Sequence, residues 1–175
     1  MDDLVRQAMA KWPDVPHCYG WLGLDARGQW YMRDDQVQAA GPFVLSKGSV
    51  LRHEKLIEFI HRNYEPDPHG CWYFQNGPQR VYVELSHTPY VWRIEPDGTV
   101  CAHTGASTEV QQVWLDEQGL AYLQTGLGFG LVHTMDTQRL ATLMDAQGWT
   151  WRTLQACDIP ERFGFVKSPQ ARQQG

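Results

Sequence analysis

Three times along the chain an aspartate is followed three residues later by glycine and six residues later by tyrosine. Asp25-Ala26-Arg27-Gly28-Gln29-Trp30-Tyr31, Asp67-Pro68-His69-Gly70-Cys71-Trp72-Tyr73 and Asp116-Glu117-Gln118-Gly119-Leu120-Ala121-Tyr122 all fit D-x-x-G-x-[W/A]-Y. Aspartate bonds to nearby backbone in a turn, glycine accepts positive φ, and the aromatic starts the outgoing strand. A chain punctuated in this way is committed to β-hairpins. A calcium loop needs several oxygen ligands in one short stretch, and each of these turns carries only one or two carboxylates, so turn chemistry explains the motif.

Around these turns, period-2 runs predict strands over 19–24 and 29–32, then a meander over 71–75, 80–86, 90–94 and 100–103, then 113–115, 120–125 and 129–133. Asn76-Gly77 predicts a type I′ hairpin turn, and Thr88-Pro89 a corner between consecutive meander strands. Helical spacing predicts a short docking helix over 2–12, a strongly amphipathic helix over 49–64, and a third helix capped by Asp136 with Leu140, Leu143 and Met144 on one face. Residues 38–48 read as a connecting loop, and 168–175 as a disordered tail. Leu24…Tyr31 with its helix resembles Leu115…Tyr122 with its helix, which predicts two related β-hairpin-plus-helix units.

Composition narrows the function classes. The 21 aromatics among 175 residues and an apolar share of 42% are enough for a core. A net charge of -5, with no basic cluster, disfavours a nucleic-acid grip. No apolar run reaches the roughly 18 residues of a membrane span, and Met1-Asp2-Asp3-Leu4 does not open like a signal peptide, so a cytoplasmic address and no membrane partner are expected. Cys18, Cys71, Cys101 and Cys157 are scattered without a CxxC pair, and reduced thiols are expected.

Several constellations invite chemistry. His17-Cys18, His69…Cys71 and Cys101…His103 pair metal-ligating residue types, but zinc needs about four ligands converging at about 2.0–2.3 Å, and no chelating loops are evident. A nucleophilic thiol needs an imidazole beside it, and Cys71 and Cys101 fall in predicted strands rather than at a helix N-terminus. His53 falls on the apolar face of the helix over 49–64 and reads as a core histidine. Gly126-Leu127-Gly128-Phe129-Gly130 lacks the spacing of a nucleotide loop and reads as a bend where a backbone passes closely. In the meander, alternation puts Val81, Val83 and Leu85 on one face and Arg80, Tyr82 and Glu84 on the other, with Arg93 joining the second set from the next strand. Arginine beside tyrosine suits recognition of a carboxylate or a peptide.

The succession Gly28-Gln29-Trp30, Leu56-Ile57-Glu58-Phe59-Ile60, Asp67…Gly70-Cys71-Trp72-Tyr73-Phe74, Val81-Tyr82-Val83-Glu84 and Thr88-Pro89-Tyr90-Val91 resembles uncharacterised proteobacterial proteins of unknown function. It is more distantly similar to a second domain-of-unknown-function family, built of two small modules of repeated strand and helix motifs and suggested to act in signal transduction, and that resemblance implies such a role here. That second family usually reads Thr-Pro where this chain has Asn76-Gly77-Pro78. The resemblance covers roughly residues 12–143 and implies fold rather than catalytic residues.

The expected architecture is α+β: a central antiparallel meander sheet flanked by two related β-hairpin-plus-helix units. The expected divisions are 1–105, a smaller module over 106–160 and a flexible tail over 161–175. No catalytic residues, metal or cofactor are expected. The expected function is a binding or regulatory module holding a protein partner or a small anionic ligand through Arg80, Tyr82, Glu84 and Arg93. The alternative is a small enzyme using histidines and cysteines in a cleft between the two modules.

Overall fold

A computed structural model describes residues 1–175. The chain divides into two compact units, one made of 1–25, 29–86 and 164–175, the other of 26–28 and 87–163.

In the first unit, helix α1 (Asp3–Lys11) leads to β1 (Cys18–Leu24), β2 (Trp30–Met32), helix α2 (Asp35–Ala40) and β3 (Ser49–Val50). Helix α3 (Glu54–Arg62), β4 (Tyr64–Pro66), β5 (Trp72–Asn76) and β6 (Gln79–Leu85) follow. The strands form one sheet in the order β3-β2-β1-β6-β5-β4, antiparallel except where β1 runs parallel to β6. Where a loop was expected over 38–48, Asp34 accepts a hydrogen bond from the Val37 N–H at 2.9 Å and starts α2. The buried Arg33 then ties that segment down, donating to the carbonyls of Gly20, Gly41 and Ser46.

The helix expected over 49–64 begins only at Glu54. His53 is its exposed N-cap, with Nδ1 accepting from the Leu56 N–H at 3.2 Å, and not a core histidine. A helical wheel drawn from Ser49 rotates His53 onto the apolar face, but Ser49 and Val50 are extended and pair with β2. The turn at Asn76 also differs from expectation. Asn76 pairs with Gln79, so the central residues are Gly77, at φ +59°, and Pro78. Proline holds φ near −65° and cannot occupy a type I′ position, so the turn shifts by one residue.

The second unit comprises β7 (Tyr90–Ile94), β8 (Val100–Ala102), β9 (Ser107–Thr108), β10 (Val110–Leu115), β11 (Ala121–Thr125) and β12 (Phe129–Val132). Helix α4 (Thr137–Gln147), β13 (Trp151–Thr153) and the one-turn helix α5 (Ile159–Phe163) complete it. Its sheet runs β13-β10-β11-β12-β7-β8-β9. Trp92, Ile94, Leu123, Val132 and Leu140 are fully or almost fully buried at its core, and the Trp92 indole N–H donates to the Leu123 carbonyl at 3.0 Å. Gly130 lies where β12 passes the Tyr90 carbonyl and the Trp92 indole, with no room for a Cβ, which is the close backbone approach expected of the glycine-rich run.

The α+β class therefore holds and all four meander strands form, but they do not make one central sheet. The hairpin β5–β6 belongs to one sheet and β7–β8 to the other. Parallel pairing decides this: β6 takes β1 as its second neighbour and β7 takes β12, so β6 and β7 are not partners.

The three aspartate turns do what their residues dictate. Asp25 Oδ1 accepts from the Gln29 N–H, Asp67 Oδ1 from those of His69 and Cys71, and Asp116 Oδ1 from those of Gln118 and Leu120, all at 2.8–2.9 Å. Each second oxygen takes a tyrosine hydroxyl: Tyr31 on Asp25, Tyr122 on Asp116 and, from the neighbouring strand β6, Tyr82 on Asp67. The Tyr122 hydroxyl is buried and bonded at 2.8 Å. Tyr122→Phe leaves that oxygen of Asp116 short of a donor and should cost about 1–2 kcal/mol, read as a lower urea midpoint at unchanged slope.

The flexible tail expected over 161–175 is instead ordered: 161–163 end helix α5, and 164–175 dock in the first unit. The docked segment makes a parallel bridge from Val166 to Cys71, and Lys167 accepts from the Leu85 N–H at 2.8 Å. Helix α6 (Pro169–Gln174) then starts from Ser168, whose Oγ accepts from the Ala171 N–H. Gly70 makes this approach feasible: its φ is +82°, and a Cβ there would collide with the Gly164 carbonyl.

Candidate functional site

On β6, Val81, Val83 and Leu85 face one side, and Arg80, Tyr82 and Glu84 the other, as alternation requires. The Tyr19 ring, from β1, stacks on Tyr82 at 4.6 Å with an interplanar angle of 7°, and Tyr73 of β5 lies 5.5 Å from Tyr82. Above this aromatic floor stands Arg80, its guanidinium 4.4 Å from the Tyr73 ring centre and 3.5 Å from the Tyr82 hydroxyl. Consecutive rings at Trp72, Tyr73 and Phe74 put aromatic surface on both faces of β5. Phe59 of α3 meets Phe74 edge-on at 6.1 Å, and Tyr73 joins the Tyr82 cluster against Val166.

The open side of that cluster is a cleft of about 360 Å³. β6 contributes Arg80 and Tyr82, the Asp67 turn contributes Asp67, His69 and Cys71, and the C-terminal segment contributes Arg172 and Gln173. Asp67 is the only carboxylate on its wall, and both its oxygens are occupied, one by two turn N–H groups and the other by Tyr82. Neither Arg80 nor Arg172 forms a salt bridge.

Burial raises the Tyr82 pKa, with Asp67's charge adding to it against the Arg80 contact, so Tyr82 stays a protonated donor to Asp67. Burial of Arg80 works against its charge, but the contacts with Tyr82, Tyr73 and Asp67 outweigh it and hold the guanidinium more firmly protonated. Burial, then the Asp67 charge, pushes the Cys71 thiol up, with Arg172 pulling the other way. The cleft thus presents two cations, one hydrogen-bonded carboxylate and an un-ionised thiol.

A family model matches residues 1–170, and its description is "Protein of unknown function (DUF2946)". The chain belongs to this family, DUF2944. Membership agrees with the resemblance carried by the Asp67…Phe74 and Val81…Glu84 runs. Two solved structures from another domain-of-unknown-function family, DUF1285, are similar to the chain. The protein from Silicibacter pomeroyi DSS-3 is 14% identical, with a TM-score of 0.49, covering 83% of this chain and 84% of its own. The protein from Shewanella baltica OS155 is also 14% identical, with a TM-score of 0.47, covering 70% and 91%. No curated protein matches the sequence.

Of the residues expected to share one outer face, the fold brings together three. Arg80, Tyr82 and Glu84 keep their common face, but Tyr82 and Glu84 are buried. Glu84 lies beneath the C-terminal segment, accepting from the Ser168 hydroxyl at 2.6 Å and the Gln170 N–H at 3.3 Å. Burial raises its pKa against those two bonds and the charge of Arg33. Glu84 is therefore a structural anchor behind the cleft and not part of its wall.

Arg93 is on β7, in the other sheet, because β6 and β7 are not neighbours. It donates Nε to Asp136 at 2.6 Å. Asp136 does not cap α4 with its side chain as expected; its carboxylate takes Arg93 and the Ile94 N–H instead. Arg93 lines a second cleft, of about 580 Å³, together with Arg139, Glu95 and Asp97. There both arginines face Asp136 within 4.0 Å, and two further carboxylates stand on the wall, so that cleft has no surplus positive charge.

The cysteines are all free thiols. No three His, Cys, Asp or Glu side chains gather in a metal-holding group. His17 Nδ1 accepts from the Arg80 N–H and His103 Nδ1 from the Val91 N–H, so these histidines serve the sheets. Arg172 is the cleft cation that sequence reasoning missed, and His69, read there only as a partner of Cys71, joins it on the cleft wall. The Ser168-Pro169 pair, an N-cap followed by proline at the first helical position, is the signal that could have found the helix carrying Arg172.

Proposed function

We propose that the protein is a cytoplasmic binding module that holds a small anionic ligand in the first unit's cleft, with Arg80 and Arg172 as its cationic contacts. The observation that carries this reading is the charge of the wall. Two guanidiniums that form no salt bridge line a cleft of about 360 Å³ with one carboxylate, Asp67, whose two oxygens already accept from the turn and from Tyr82, so positive charge is in surplus. A guanidinium presents donors in a fixed fork suited to carboxylate or phosphate, and stacking on Tyr73 orients that of Arg80. Binding without turnover fits the cleft's thiol, which burial keeps protonated. It also fits the role in signal transduction implied by the resemblance to the second family.

The test is a thermal-shift panel of inorganic phosphate, succinate and, as a cationic control, putrescine. Phosphate or succinate should raise the melting temperature in proportion to the logarithm of its concentration, and Arg80→Ala should weaken that response at least about tenfold in concentration. A panel in which no anion shifts the protein, or an Arg80→Ala variant that responds like the wild type, overturns the reading.

A further inference from the structure

The cleft is not complete on the sheet alone. Arg80 comes from β6, but Arg172 comes from a segment that returns to the first unit only after the whole of 87–163 has been threaded. That segment is tied down by a short series of contacts. The Val166 N–H donates to the Gly70 carbonyl at 2.9 Å, the Leu85 N–H donates to Lys167, and the Gln170 side chain reaches Gln38 at 3.1 Å. Ser168 and Gln170 donate to Glu84. Only Phe165 and Pro169 of residues 164–175 are buried, so little apolar surface holds the segment, and two of its polar ties end on the Glu84 carboxylate.

Resting on the anion-binding reading above, we infer that residues 164–175 are a strap that completes the site, and that a compact dianion bridging Arg80 and Arg172 binds only when the strap is docked. Two guanidiniums against one carboxylate leave the wall with surplus positive charge, and two donor forks facing one small cleft match the several oxygens of one small dianion, a phosphate group or a short dicarboxylate. Opening the strap withdraws Arg172 and leaves Arg80 alone, so the open form binds weakly. Ligand binding and strap docking are then one linked equilibrium: whatever binds the docked form alone reduces strap opening by the factor 1 + [L]/Kd.

Hydrogen exchange of the full chain, followed by mass spectrometry or NMR, reads that factor directly. The amides of Val166 and Ala171 report on the strap itself, and the Leu85 amide reports from the sheet because its acceptor is Lys167. With inorganic phosphate at about 100 times its Kd, these amides should exchange about 100-fold more slowly. A parallel arm with succinate separates a phosphate source from a dicarboxylate source. Ser168→Ala, which touches only the anchor and the α6 cap, should speed the Val166 and Leu85 amides about tenfold without ligand; Ala171 is left out of this arm because its acceptor is the Ser168 hydroxyl. Arg172→Ala should leave the strap docked and abolish the protection by phosphate. If calorimetry records phosphate binding to the wild type while the strap amides exchange at an unchanged rate, the strap inference falls and the anion site stands. If no dianion binds, the anion site falls and takes the strap with it.

Discussion

Arg33→Met destabilises the first unit by about 3–5 kcal/mol, the largest single effect expected in this protein. Arg33 is 1% exposed, yet it makes no salt bridge. Its guanidinium donates at 2.8–3.0 Å to three carbonyls, Gly20 on β1, Gly41 after α2 and Ser46 before β3. The Gly41 and Ser46 carbonyls lie between α2 and β3, outside any strand or helix, where backbone acceptors have few other donors to turn to. Methionine fills much of the volume and supplies none of the bonds, leaving buried acceptors unsatisfied. The change also removes the positive charge that offsets Glu84. Urea unfolding of Arg33→Met, Glu84→Gln and the double variant separates the two effects: the double variant should lose less than the sum of the singles. Strict additivity would mean that the two buried charges do not communicate.

Asp136→Ala is the second large effect, about 2–3 kcal/mol in the second unit. The carboxylate is buried and holds β7 to the start of α4 through the Ile94 N–H at 3.0 Å and through Arg93. The Ile94 N–H is left buried without an acceptor in the variant. Arg93 and Arg139 lose less, because their side chains are 44% and 50% exposed and rehydrate. The bond has a pH signature. Burial works to raise the Asp136 pKa, but the Arg93 and Ile94 bonds and the charges of Arg93 and Arg139 outweigh it and hold the carboxyl below its ordinary value of 3.8. A depressed folded pKa contributes stability that is fully present above 3.8 and is lost as pH falls through the folded value. The gap between wild type and Asp136→Ala should therefore be widest at pH 5 to 7 and narrow in stronger acid. Glu84, whose folded pKa is raised, contributes in the opposite sense: its share is present in acid and lost as pH rises through the folded value. Comparing the two proteins at each pH removes that background, and a constant gap from pH 6 to pH 3 would refute the assignment.

The parts of this architecture that were legible in the sequence are those whose causes are local. Asp25, Asp67 and Asp116 bond to backbone within four residues of themselves, so their turns could be read from spacing alone. Pro78 should have moved the turn at Asn76, since its fixed φ is equally local. His53 was misplaced because a periodic pattern does not mark where a helix begins, and the cap is a single contact to Leu56. What could not be read is set by partners far apart in sequence. The split of the meander depends on β1 pairing with β6, and on β7 pairing with β12 about 40 residues later. The burial of Glu84 depends on Ser168, 84 residues away. Alternation correctly grouped Arg80, Tyr82 and Glu84, but whether that face meets water or the C-terminal segment lies outside any local pattern. The same holds for the cleft, whose second arginine comes from a segment that composition alone marked as a tail.

The most direct measurement of the central claim is a calorimetric titration of inorganic phosphate into the wild-type chain and into Arg80→Ala/Arg172→Ala. The account predicts one site per chain in the wild type, weakened by added salt, and no measurable binding in the double variant. Wild-type protein that takes up no phosphate, or a double variant that binds it as tightly, would contradict it.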